Sequence, residues 1–286
     1  MPHYGFGLSN ANIIFSGTGN QTYDTSISGK SATGFSINKS SGTLTPSHPA
    51  NDLTIRFLRI LQGSFQAPSG ILEINQNAQA NSLTVLQINS GTTFDANGGT
   101  LSFYGRPSTS VSTPTLTFAI YEPTLFNNLT INHFIYGGRH FIVDLTNQNL
   151  AVGGTFTHTE GRINGGLDLY GDAVFNNTIS SSGNASINFL GTANQNISQT
   201  GLTTKGAISI NKAAGIITMT TNIDFTQAGQ TMTMLDGDID LNGFNLTIDS
   251  TLSMSSGTTA TLNSGALSAN SAVIPPGSYD SGMILP

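Results

Sequence analysis

From Ile13 onward the chain is built of short runs, about four to six residues each, in which apolar side chains alternate with Ser, Thr, Asn or Gln. Phe35-Ser-Ile-Asn, Leu53-Thr-Ile-Arg-Phe-Leu-Arg-Ile, Ile71-Leu-Glu-Ile-Asn and Leu83-Thr-Val-Leu-Gln-Ile-Asn follow one another with Gly, Asn or Ser-Gly between them. A period of two puts the apolar side chains on one face of a strand and the small polar ones on the other. No segment carries the helical period, so the pattern predicts an all-β chain.

The runs also repeat on a longer scale. Ile13 to Thr45, IIFSGTGNQTYDTSISGKSATGFSINKSSGTLT, returns as Ile187 to Thr218, INFLGTANQNISQTGLTTKGAISINKAAGIIT. Gly-Thr-x-Asn-Gln, Ser-Ile-Asn-Lys and a Gly before an apolar/Thr run keep their order, with Phe15 matched to Phe189 and Lys39 to Lys212. A weaker copy lies between, where Leu101-Ser-Phe-Tyr-Gly105 answers the Phe-x-Gly start and Leu129-Thr-Ile-Asn132 answers Ser-Ile-Asn. A second set of matches pairs Ser90-Gly-Thr-Thr93 and Asn97-Gly-Gly-Thr-Leu101 with Ser256-Gly-Thr-Thr259 and Asn263-Ser-Gly-Ala-Leu267.

Repetition of this kind limits the architecture before propensity does. Units of about 87 residues fit either three tandem sandwich domains or stacked coils of about 20 to 22 residues. Sandwiches would show a large-residue core strand in each unit and linkers between units, and neither is visible. The chain is therefore expected to form a parallel β-helix, a β-solenoid of about twelve coils in three units near 13–100, 101–186 and 187–270. Residues 1–12 and 271–286 leave the pattern and are expected to act as end segments, capping the solenoid or making assembly contacts.

Phe126-Asn-Asn-Leu-Thr-Ile-Asn132, Ile37-Asn-Lys-Ser-Ser-Gly-Thr-Leu-Thr45 and Asp240-Leu-Asn-Gly-Phe-Asn-Leu-Thr-Ile248 resemble the repeat style of bacterial surface and adhesin-like β-solenoid proteins. The resemblance covers nearly all of residues 13–267. It implies cell-surface display, adhesion or appendage building, and it transfers no functional residue.

Composition narrows the function class further. Of 286 residues only 8% are charged, against about a quarter in typical domains. The net charge is −6 and the nine basic residues are scattered, so there is no electrostatic footprint for nucleic acid. Cysteine is absent, which removes disulfides and thiolate metal sites and suits an extracellular setting. No apolar run is long enough for a transmembrane helix, and the opening MPHYGFGLSNAN lacks the basic and apolar regions of a secretory signal. A surface on a virion is the alternative location.

Four sets of residues are candidates for chemistry. Asp236, Asp238 and Asp240, at alternate positions before Asn242-Gly243, would place three carboxylates on one side of a strand, where hard oxygen ligands could hold calcium. The spacing departs from an EF-hand loop at Leu241 and Thr247, and a polar strand face ending in an Asn-Gly turn is the plainer reading. His158, Glu160 and Arg162, with His140 or Asp168 from neighbouring coils, would put an imidazole beside a carboxylate, the usual proton-transfer pairing, or would simply form a solvated strand face. The aromatics Tyr104, Tyr121, Phe134, Tyr136, Phe141 and Tyr170 gather in the middle unit, where they either pack inward or present rings to sugars. Several Asn-x-Ser/Thr sequons, at Asn20, Asn128, Asn184 and Asn245, accompany the high Asn and Thr content. The three glutamates, Glu73, Glu122 and Glu160, are too dispersed to suggest a paired-carboxylate hydrolase.

These readings converge on a non-catalytic structural or adhesive protein that polymerises through its solenoid ends. A phage tail spike or fibre binding a host glycan and a carbohydrate-active β-helix enzyme are the alternatives.

Overall fold

The computed structural model describes residues 12–25, 34–76, 82–105, 107, 114–134, 140–146, 149–178 and 182–278. These contain strands joined by turns and no helix. Every pairing between named strands is parallel, and the antiparallel contact seen among the described residues is an isolated bridge from Asn177 to Leu202. A parallel neighbour requires the chain to travel round and return in the same direction. Here it does so repeatedly, which is the path of a β-helix.

Three strips of strands run along the molecule. The first starts at Asn12–Gly17 and passes through the front of Gly34–Pro46 and of Leu58–Gln66, then Leu83–Ile88, Thr115–Ile120, Ile142–Thr146 and Arg162–Asn164. A second includes Leu125–Phe126, Leu150–Val152, Gly166–Leu169, Ser186–Gly191 and the front of Ile208–Met219. The third includes Leu53–Ile55, Ile71–Asn75, Thr100–Gly105, Asn128–His133, Phe156–Glu160, Ala173–Phe175 and Gln195–Gln199.

The alternation seen in the sequence is what fills the interior. Leu150, Leu167, Ile187, Ile208, Met232 and Leu252 stand in register on successive turns, all buried. Each such side chain is worth roughly 1.5–3 kcal/mol on burial. The buried residues form one cluster reaching from Tyr23 to Ala269, with no break between units. Tyr23, Phe65, Phe94 and Phe126 continue it as an aromatic file, with ring centroids 5.5, 6.0 and 5.1 Å apart in turn. Separate sandwich domains would each own a core, so the unbroken cluster decides in favour of stacked turns.

The conserved vocabulary of the two long copies describes a corner between strips. Lys39 is fully buried, and its ammonium donates to the Gly19 carbonyl at 2.6 Å and to Gln21 Oε1 at 2.9 Å. Lys212, equally buried, donates to the Ala193 carbonyl and Gln195 Oε1, both at 2.8 Å, with Leu190 O at 3.4 Å. The lysine thus ties its own turn to the Gly-Thr-x-Asn-Gln corner of the turn before. The asparagine of that corner acts too, since Asn20 Oδ1 accepts from Thr43 N and Asn194 Oδ1 from Ile216 N. Glycine is required between them. Gly42 and Gly215 have φ of +74° and +75°, and a Cβ at either would lie 2.7–2.8 Å from the carbonyl oxygens of the preceding corner.

The three sequence copies do not occupy one side of the molecule. Phe15 is in register with Ile37, Phe103 with Ile131 and Phe189 with Ile210, so each copy is a Phe-on-Ile step between consecutive turns. Those steps lie on the first, third and second strips respectively. The repeat is therefore a local two-turn device reused at different corners, and turn lengths vary enough to shift it from one corner to the next.

Candidate functional site

The three aspartates expected to share a strand face are separated by a corner. Gly237, with φ of +92°, turns the chain between Asp236 and Asp238, and the register against Ile208–Met219 jumps there from Asn211 to Ile216. Asp236 Oδ1 accepts from the Gly237 amide at 2.9 Å. Asp238 Oδ1 accepts both the amide and the hydroxyl of Thr259 on the next turn, at 2.9 and 2.5 Å. Asp240 Oδ1 accepts the Asn242 amide at 2.8 Å and Asn263 Nδ2 at 2.7 Å. The carboxylates serve turn and ladder bonds, and among the described residues no three His, Asp or Glu side chains converge where a metal ion could sit. Asn242-Gly243 does form the expected turn, with φ of 51° and 83°.

The His158, Glu160, Arg162 set is also divided. His158 points inward and is fully buried, while Glu160 is half-buried beyond a register shift and takes a hydrogen bond from Thr178 Oγ1 at 3.1 Å. The expected shared face is thus corrected, because the alternation along Phe156–Glu160 turns the imidazole into the core. His158 Nε2–H donates to the Gly161 carbonyl at 2.9 Å, the tautomer being assigned from that bond. Nδ1 has no partner. One turn earlier His133 is buried as completely, edge-on to Phe141 at 5.2 Å between ring centroids. Neither of its nitrogens makes an aligned hydrogen bond, although the Gly105 carbonyl lies close enough to favour the charged form slightly. Burial, and then repulsion from His158, push the His133 pKa down to about 3. Burial pushes that of His158 down to about 4 despite the Gly161 bond. His140 is lowered by burial and by the Arg162 charge. Two neutral imidazoles inside a core are packing groups, remote from any solvent-borne substrate.

Of the aromatics, Phe141 is core, and Tyr104 packs edge-on against exposed Phe134 at 5.4 Å. Tyr136 lies outside the described residues. Tyr121 and Tyr170 are exposed.

Tyr170 borders a shallow depression of about 570 Å³ on the outside of the second strip. Pro123, Thr124, Leu125, Asn149, Ala151 and Asp168 complete its lining. The register explains the placement. Leu125, Ala151, Asp168, Asn188, Ser209 and Thr233 form one outward row along successive turns. Asp168 is held within that row, its Oδ1 accepting from Asn149 Nδ2 at 2.9 Å and from Asn188 Nδ2 at 2.7 Å. Both rims have room to lie flat, because their neighbours on the next turn are glycines. A Cβ at Gly191 would stand 3.1 Å from the Tyr170 ring, and one at Gly153 would stand 3.3 Å from Leu125. The sequence drew attention to Asp168 and Tyr170 but not to Leu125, Asn149 or Asn188. Leu125 and Asn188 carry no sequence signal beyond an outward position in a strand, a position many residues share, and Asn149 lies just before one. Comparison of the chain with protein-family models, with curated proteins and with solved structures gave no match.

Proposed function

We propose that the protein is a non-catalytic, extracellular structural and adhesive rod, a self-assembling subunit of a surface filament, appendage or layer. In this reading it is a solenoid of about twelve coils, organised in three sequence units. The observation that supports assembly is the state of its two ends. Among the described residues Asn12–Gly17 pairs only with Gly34–Pro46, and Leu267–Val273 only with Leu246–Met254. Among the described residues the outer edge of each has no strand partner, and each carries an exposed apolar side chain, Ile14 and Val273 at 63%. Unpaired edges invite further strands. Joined head to tail without closure they generate a fibre.

The test is sedimentation and negative-stain microscopy over a concentration series. Filaments or open-ended oligomers are expected, and Ile14→Lys together with Val273→Lys should suppress them. Protein that stays monomeric at every concentration, salt and pH tried would refute assembly through the ends.

The lateral depression favours a second reading, a phage spike or fibre that binds host glycan as a closed trimer. Mass photometry separates the two, since a trimer is one discrete species. A carbohydrate-active enzyme has less behind it: Glu160 is on the third strip and Asp168 on the second, so they do not share a cleft.

A further inference from the structure

We propose that the depression between Leu125 and Tyr170 binds one ring of a neutral saccharide. The inference rests on the adhesive part of the function proposed above and supplies its ligand class and site. A pyranose ring has an apolar face of C–H bonds and a rim of hydroxyls, so its binding site must offer a flat apolar surface beside fixed hydrogen-bonding groups. Both are here. Tyr170, 39% exposed, and Leu125, 57% exposed, are rims laid against the sheet by the glycines beside them. Between them the Asp168 carboxylate is already oriented by two amides that both engage Oδ1, and Oδ2 has no protein partner among the described residues. A carboxylate oxygen fixed in this way accepts hydroxyl protons without having to be ordered on binding. Exposed tyrosine supplies contact area at low entropic cost.

Charge sets the class. Asp168 is the one ionisable carboxylate of the lining, and no Lys or Arg accompanies it. Uronic and sialic acids would meet repulsion without a counter-charge, whereas neutral sugars would not. The site is shallow and takes one ring, so the affinity for a simple glycoside is expected near the millimolar range. Repetition along a filament raises the effective affinity by about 10²–10⁴ for a surface that displays many copies of the sugar.

Saturation-transfer NMR tests this on dilute, unassembled protein, with the methyl glycosides of glucose, galactose, mannose, N-acetylglucosamine and glucuronate as probes. At least one neutral glycoside should receive transfer at its ring C–H protons, and the glucuronate none. Tyr170→Ala and Asp168→Asn should each weaken binding about tenfold or more. Their melting curves should match the parent, because Tyr170 is outside the core and an amide at 168 still offers a carbonyl oxygen to Asn149 and Asn188. The proposal is overturned if no neutral glycoside binds, if the glucuronate binds equally well, or if both variants bind like the parent. Filament formation is scored separately, so loss of sugar binding with filaments intact counts against this site alone, and the reverse counts against assembly alone.

Discussion

At the scale of single residues, the least expected feature is that a chain with only nine basic residues buries two of them completely. Among the described residues Lys39 and Lys212 have no carboxylate partner, and they are held by carbonyl and amide oxygens. Burial lowers the Lys212 pKa accordingly. Buried charges often contribute less than an apolar replacement would. Here, however, removal strands the buried Gln195 Oε1 and leaves the part-buried Ala193 carbonyl without its donor, and a buried acceptor left unmade costs about 1–3 kcal/mol. Lys212→Met, which keeps the aliphatic stem, is therefore expected to lower stability by about 2 kcal/mol in chemical denaturation. Stability equal to or above the parent would show that the clamp does not hold the corner. The buried imidazoles give a different signature. Their folded pKa values, about 3 and 4, lie below the ordinary 6.5, so below pH 6.5 the unfolded chain takes up protons that the folded one does not. Their contribution is complete above about pH 6.5, falls as the pH drops toward 4 and then 3, and is level below that. At about 1.4 kcal/mol per pKa unit the loss is on the order of 3 kcal/mol for His158. His158→Leu should flatten the decline between pH 6.5 and 4 relative to the parent, and an unchanged slope would refute the assignment.

At the scale of strands and corners, the sequence was readable wherever one residue type has one physical role. Asn97 and Asn263, matched from sequence, adopt the same left-handed conformation, with φ of 49° and 47°. Asparagine at corners recurs as an acceptor for the next turn's backbone, as when Asn222 receives Asn245 N and Asn245 in turn receives Ala266 N. The corner leaves a backbone amide exposed, and the asparagine side chain of the preceding turn satisfies it. What could not be read was where one strand ends and the next begins when no loop intervenes. Ile208–Met219 and Met232–Asp240 each pass continuously from one strip to the next through a glycine. Asp236, Asp238 and Asp240 therefore look like one alternating face while straddling a bend. His158 was misread for a related reason: Thr157, His158 and Thr159 are all polar, so the pattern gives no sign of which of them faces inward.

At the scale of the whole molecule, fold class and parallel stacking were legible because the long repeat and the period of two point the same way. The lateral depression was not, since it joins Leu125, Asn149, Asp168 and Tyr170 from three successive turns whose spacing varies. The claim on which the functional proposals rest is that the chain forms one column with a shared interior. Small-angle X-ray scattering of dilute, unassembled protein tests it directly. The proposed solenoid of about twelve coils, at the ~4.8 Å strand spacing, predicts a single rigid rod on the order of 60 Å long, with one cross-sectional radius along its length. A pair-distance distribution with separate maxima, from globules joined by hinges, would contradict it.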